Sequence, residues 1–145
     1  VLNLKNDRVT KFAIVALINT AINLAVLNAL IFASGIGRGG FVYGVFETIG
    51  FLLASLNSYI LNRQWTFEDK ATPSSVKEFG RFLAISGIGL VINLFVSITL
   101  VRYLHSYAFS LSIERFIPSI GALGGVFVSQ FWNYHGYRNI FRKKF

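Results

Sequence analysis

The sequence predicts an all-α integral membrane protein, with four transmembrane helices built as two tandem parallel helix-hairpin repeats. Three observations carry that expectation. Four apolar runs alternate with short polar segments, the cations collect in every second segment, and the second half of the chain echoes the first. Composition agrees. Of 145 residues, 54% are apolar and 14% charged, with 15 Phe and 13 Gly, whereas a soluble domain carries about 25% charged residues. The mean hydropathy is +0.58.

The first polar stretch holds Lys5, Arg8 and Lys11. Phe12 to Ala33 then gives 22 residues without a charge, enough at about 1.5 Å per residue to cross a hydrocarbon core of about 30 Å. The run exceeds the roughly 7–15 residues of a signal-peptide core, and no clear small-residue cleavage site follows it, so a permanent span is expected. Ser34-Gly35-Ile36-Gly37-Arg38-Gly39-Gly40 reads as a turn. The second run, Phe41 to Leu61, contains one charge, Glu47.

That run leaves through Asn57-Ser58-Tyr59-Ile60-Leu61-Asn62-Arg63-Gln64-Trp65-Thr66-Phe67. Aromatics such as Tyr59 and Trp65 beside a cation mark a helix emerging among lipid headgroups. A polar segment with Pro73-Ser74-Ser75 as its breaker precedes the third run, Phe82 to Val101. Arg102 to Arg115 reads as a half-polar loop along the interface. The fourth run, Phe116 to Trp132, is near the minimum spanning length and exits through Trp132-Asn133-Tyr134-His135-Gly136-Tyr137-Arg138. One transmembrane domain over 1–145 is expected: repeat 1 about 11–67, a linker 68–80, and repeat 2 about 81–142.

The cations set an orientation. The N-terminal, central and C-terminal segments hold 3, 4 and 4 of the 14 Lys and Arg, leaving Arg38, Arg102 and Arg115 for the other two loops. The positive-inside rule then puts both termini and the central loop in the cytoplasm of a cell whose inner or plasma membrane holds the protein.

A shift of 70 residues lays Phe12, Ile18, Ile22, Asn23 and Leu24 on Phe82, Ile88, Ile92, Asn93 and Leu94. A shift of 75 lays Gly50, Tyr59 and Arg63 on Gly125, Tyr134 and Arg138. These are parallel repeats. Small residues recur every fourth position as Gly50-Ala54-Ser58, Gly89-Asn93-Ser97 and Gly121-Gly125-Ser129-Asn133. Such stripes let helix backbones approach closely in lipid, within one chain or between copies in a homo-oligomer.

Polar groups within the runs must find partners there. Asn19 and Asn23 share a face of the first span, and Asn93 matches Asn23. These amides read either as interhelical glue or as a polar path for a sugar, together with Asn57, Asn62 and Asn133. Glu47 lies on the Gly50-Ala54-Ser58 face and must be neutral, paired or exposed to a wet cavity. Arg63 and Arg138 stand at matched exits. Each reads as a topological anchor on ordinary lipid headgroups or as a ligand for lipid phosphate, the guanidinium suiting bidentate contact.

Other functions find little footing. No cysteine is present, and two histidines and six carboxylates form no recognisable metal or nucleophile pattern. No metal, cofactor or enzymatic activity is expected. The +8 charge is clustered between neutral runs rather than spread over a face, which argues against nucleic acid.

The chain resembles the GtrA-like family of small four-span proteins. The likeness rests on Lys11-Phe12 leading into Asn19-Thr20…Asn23, on the Asn62-Arg63-Gln64-Trp65-Thr66-Phe67 ending, and on the Phe79-Gly80-Arg81-Phe82 restart, and it runs from Lys11 to Phe141. The second exit departs from the pattern, with His135-Gly136-Tyr137-Arg138 where the first has Leu61-Asn62-Arg63. The resemblance implies a role in cell-surface polysaccharide synthesis: flipping of a polyprenyl-phosphate-linked monosaccharide, alone or beside a glycosyltransferase partner. It implies phosphate contacts at Arg63, Arg138, Arg81 and Lys11, and sugar contacts at Asn19, Asn23, Asn93 and Asn133, with Glu47 near the outer release point and Tyr59, Trp65, Trp132 and Tyr134 as interface aromatics. Two alternatives stand beside it: a non-transporting anchor that recruits a glycosyltransferase through the central loop, and a small proton-coupled exporter that uses Glu47.

Overall fold

The first apolar run folds as α1, Arg8–Ser34. It ends at Gly35, whose positive φ of 72° and N–H bond to the Ile31 carbonyl (2.9 Å) close the helix in the left-handed conformation glycine favours. The computed structural model describes residues 8–67, 75–107 and 111–141. Gly40, again at positive φ, opens α2, Gly40–Leu61. α2 passes without a break into a π-helical turn, Asn62–Thr66, closed by the bond from Phe67 N–H to the Asn62 carbonyl (2.9 Å). Then follow α3, Val76–Tyr107, a short α4, Leu111–Glu114, and α5, Ile117–Ile140. Pro118 sits in the first turn of α5, where a missing N–H has no cost.

Two stretches differ from the sequence expectation. α3 begins before Phe82 and continues past Val101, so Arg102 to Tyr107 are helical rather than loop. No Gly or Pro interrupts 102–107, and Ser106 Oγ bonds the Arg102 carbonyl at 3.1 Å. At the other end Ser75 caps the helix, its Oγ accepting the Glu78 N–H at 3.1 Å, and the Phe79 ring packs edge-on to Tyr59 (5.2 Å between centroids). Residues 68–74 of the expected linker lie outside the described residues, as do Lys5, Arg142, Lys143 and Lys144.

Three stretches, Arg8–Ser34, Gly40–Thr66 and Val76–Tyr107, are long and apolar enough to cross a membrane. α5 has the length, at 24 residues, but Gln130, Asn133, His135, Arg138 and Asn139 lower its hydropathy. Among the described residues there is no strand.

Polarity runs opposite to that of a water-soluble bundle. Each helix buries a narrow stripe of about one residue per turn, and many of the stripe residues are polar: Asn19 and Asn23 on α1, Glu47 and Ser58 on α2, Ser86, Asn93 and Ser97 on α3, Ser129 and Asn133 on α5. Large apolar side chains point outward instead, among them Leu17, Phe32, Phe41, Phe95 and Phe127, each more than two-thirds exposed. Such a surface is stable only against hydrocarbon.

With no hydrophobic drive between helices in lipid, close approach has to supply packing energy. α3 pairs most extensively with α5, and α1 with α2. Glycines mark where backbones meet. A Cβ at Gly50 would run into Asn23 Oδ1 and its main-chain oxygen, and one at Gly125 into the same two atoms of Asn93. By contrast, a Cβ at Gly87 would meet nothing within 4 Å. Gly125→Leu is therefore expected to destabilise the bundle by about 2 kcal/mol or more, and Gly87→Leu by no more than about 0.5 kcal/mol. Thermal unfolding of both variants in detergent measures the contrast.

Candidate functional site

Glu47 occupies the centre of the buried seam and is wholly inaccessible. It reaches that position because α2 carries Tyr43, Glu47, Gly50, Ala54 and Ser58 on one face. Its Oε1 accepts two amide bonds, from Asn23 Nδ2 at 2.9 Å and from Asn93 Nδ2 at 2.8 Å. One carboxyl oxygen thus ties α2 to α1 and to α3. Ala122 of α5 is also fully buried. Tyr43, one turn from Glu47, donates its hydroxyl to the Pro118 carbonyl at 3.1 Å and so fixes the start of α5.

From Glu47 the seam continues toward the end of the bundle that carries Arg8, Arg63 and Arg138, the basic end. Asn57 Nδ2 donates to Asn19 Oδ1 (2.8 Å), Asn62 Nδ2 to Ser58 Oγ (2.8 Å), and the Ser86 and Tyr137 hydroxyls share a bond of 2.7 Å. Between α1, α2 and α5 lies a crevice of about 20 Å³, room for about one water. Its polar lining includes Asn19, Asn23, Ser55, Ser58, Gln130 and Asn133, with Tyr137 beside them.

Several buried polar atoms along the seam have no partner among the described residues: Glu47 Oε2, Asn23 Oδ1, Asn93 Oδ1, Asn62 Oδ1, Thr66 Oγ1 and Asn133 Oδ1. Buried acceptors are normally bonded. Three of them, the Oδ1 atoms of Asn23, Asn93 and Asn133, lie against Gly50, Gly125 and Gly89, where an added Cβ would meet them.

The predicted phosphate ligands separate. Arg63 leaves the π-helical turn and meets Glu78 of α3, Nε to Oε1 at 2.8 Å, with both side chains 14% exposed. The Tyr59 hydroxyl donates to the same Glu78 oxygen at 3.0 Å. Arg138 and Arg81 are exposed, while Lys11 is buried. Between them stands a cluster of Phe12, Phe67, Phe82, Tyr137 and Phe141. The interface aromatics also divide. Trp65 is exposed, Trp132 Nε1 donates to the Ile85 carbonyl at 3.1 Å and ties α5 to α3, and Tyr134 packs edge-on to Phe12 (4.9 Å).

Sequence reasoning missed Tyr43, Ser86, Tyr137 and Gln130. Tyr43 and Tyr137 continue the four-residue stripes by one turn, Tyr43 before Glu47 and Tyr137 after Asn133, so the same period contains them. Nothing in the sequence pairs Glu78 with Arg63. Among the described residues no group of His and carboxylates could hold a metal ion.

An all-helical bundle with an apolar exterior and a polar seam defines an integral membrane protein. Residues 11–141 match the family model described as the GtrA/DPMS transmembrane domain, and the chain belongs to that family. Comparison with curated proteins and with solved structures gives no match.

The double acceptor at Glu47 sets a stability test. Glu47→Leu strands two amide donors in lipid and is expected to cost about 1–3 kcal/mol. Glu47→Gln keeps an acceptor oxygen and should lose less than half of that. Chemical unfolding of both variants in mixed micelles distinguishes them.

Proposed function

We propose that the protein carries a polyprenyl-phosphate-linked monosaccharide across the cell membrane, for cell-surface polysaccharide synthesis or glycosylation. In this reading α5 is a fourth span. The molecule is two tandem hairpins of parallel orientation, with the basic end and both termini cytoplasmic. The 70- and 75-residue repeats support that architecture, as does the matched packing of Asn23 on Gly50 and Asn93 on Gly125. The clustering of cations in alternate segments supports the orientation.

One observation carries the functional reading. The polar crevice adjoins an apolar, lipid-facing groove between α1 and α5, and the two share Val126 and Gln130. A polar slot opening sideways into hydrocarbon matches an amphiphile whose headgroup crosses the bilayer while its chain stays in lipid. Asn19, Asn133 and Gln130 supply partners for sugar hydroxyls. At about 20 Å³ the crevice is closed to a sugar, so transport requires α1, α2 and α5 to separate during the cycle. The same closure favours a second reading, in which the chain transports nothing and anchors a polyprenyl-phosphate glycosyltransferase.

Proteoliposomes separate the two. The wild type is expected to move a labelled polyprenyl-phosphate monosaccharide faster than protein-free vesicles do. Gln130→Leu, which removes a polar group from a half-buried position, is expected to slow that movement by about tenfold, the equivalent of one lost hydrogen bond. Movement no faster than in empty vesicles, with a co-reconstituted glycosyltransferase activated instead, establishes the anchor.

A further inference from the structure

The bundle has two lateral seams, α2 against α3 and α1 against α5, and they are built differently at the basic end. The α2–α3 seam is shut. The Tyr59 ring packs on Phe79 and Phe82 (5.2 and 4.9 Å), and the Arg63–Glu78 ion pair at 2.8 Å lies beside it. The α1–α5 seam over the same half is an open groove of about 520 Å³. Ala13, Ala16 and Thr20 line one wall; Phe127, Gln130 and Tyr134 line the other.

The two repeat offsets give the reason. Position 8 corresponds to 78 and 9 to 79, each 70 apart; position 138 corresponds to 63, 75 apart. Where one seam has Glu78 opposite Arg63, the other has Arg8 and Arg138. Where one has the Phe79 ring, the other has Val9. Among the described residues the groove therefore lacks both the latch and the aromatic plug, and Arg8 and Arg138 stand at the latch positions beyond its mouth. Phe12 and Tyr134 meet at 4.9 Å inside it, and Arg8 and Arg138 each stand one turn beyond that contact, both exposed.

The far half of the α1–α5 seam is fastened. Asn28 Nδ2 donates to Ser119 Oγ at 3.0 Å, and the hydroxyl lies 3.2 Å from Asn28 Oδ1. The seam is thus clasped at one end and open at the other, and the open end is basic. Its length, from Val9 to Thr20 on α1, is about 17 Å at 1.5 Å per residue.

We infer that this groove seats the hydrocarbon chain of an isoprenyl monophosphate, with the phosphate held by Arg8 and Arg138 at its basic mouth. Choosing an isoprenyl chain over a diacyl phospholipid rests on the proposed carrier function; the position of the site rests on the groove, the charges and the clasp. Arg8 takes the place the sequence reading gave to Arg63, since Arg63 already serves Glu78. In this seat the hydrocarbon chain runs alongside Val126 and Gln130, which the groove shares with the crevice, and the phosphate at Arg138 stands about 12 Å along α5 from Gln130.

Photo-crosslinking tests the inference. The whole protein in phosphatidylcholine nanodiscs is exposed to farnesyl phosphate with a diazirine on its chain, and labelled peptides are mapped by mass spectrometry. Label is expected within 9–20 and 123–134, displaced by unlabelled farnesyl phosphate and not by phosphatidylglycerol. Arg8→Glu, an exposed change that restores opposite charges across the seam, is expected to reduce labelling by about tenfold through loss of one charge-assisted contact. Label on the α2–α3 seam, equal displacement by phosphatidylglycerol, or undiminished labelling of Arg8→Glu overturns the proposal. Groove labelling without translocation in proteoliposomes refutes the carrier reading alone; translocation with an unlabelled groove refutes this site alone.

Discussion

In hydrocarbon, burying an apolar side chain between helices brings little, because lipid tails solvate it equally well. A carboxyl group without partners, on the other hand, is costly there. Glu47 turns that cost into cohesion. By accepting amide donors from α1 and α3 through one oxygen, it binds three helices at a single point. The neighbouring glycines exist to let that point form: Gly50 and Gly125 leave the space that Asn23 and Asn93 occupy. Polar satisfaction at the centre and close backbone approach around it are one device, set between two apolar clusters, one around Leu27, Tyr43 and Ile117 and one around Phe12, Phe82 and Phe141.

Faces were legible in the sequence; partners were not. The four-residue stripes placed Glu47, Asn93 and Asn133 toward protein, the need of an amide for partners placed Asn19 and Asn23 there, and all five are buried. Periodicity within a helix specifies azimuth, which is why this succeeded. It does not specify which stripes meet or at what height. Asn23, Glu47 and Asn93 lie 24 and 46 residues apart, and no local pattern predicts that three such groups converge. The same limit hid the Arg63–Glu78 pair, which joins a helix exit to a helix entry across a polar segment. Helix ends were the other weak point, since the extension of α3 to Tyr107 depends on the absence of a breaker rather than on any apolar period.

In the proposed architecture of two tandem hairpins, the sequence offsets that relate the halves also mark where they part. Asn23 and Asn93 play the same role, whereas Glu47 stands where the other half has Ala122. One half supplies a carboxyl and both halves supply an amide to meet it. Likewise one lateral seam is latched and its counterpart is not. In that reading, small departures at equivalent positions give a nearly symmetric scaffold one internal carboxyl group and a single open side, which a symmetric dimer of hairpins would lack.

The π-helical turn at Asn62–Thr66 has a mechanical consequence. A wider turn takes up an extra residue, so the chain beyond it is rotated by about one residue's angle, roughly 100°, relative to a continued α-helix. On one side it is pinned by Asn62 to Ser58, on the other by Arg63 to Glu78. Tightening the turn to α-helical winding would turn Phe67 out of its stack on Phe141 (5.6 Å between centroids) and uncover the buried Thr66. The wider turn thus seats Thr66 and Phe67 inside the basic end of the bundle, where both are buried, rather than leaving them to lipid.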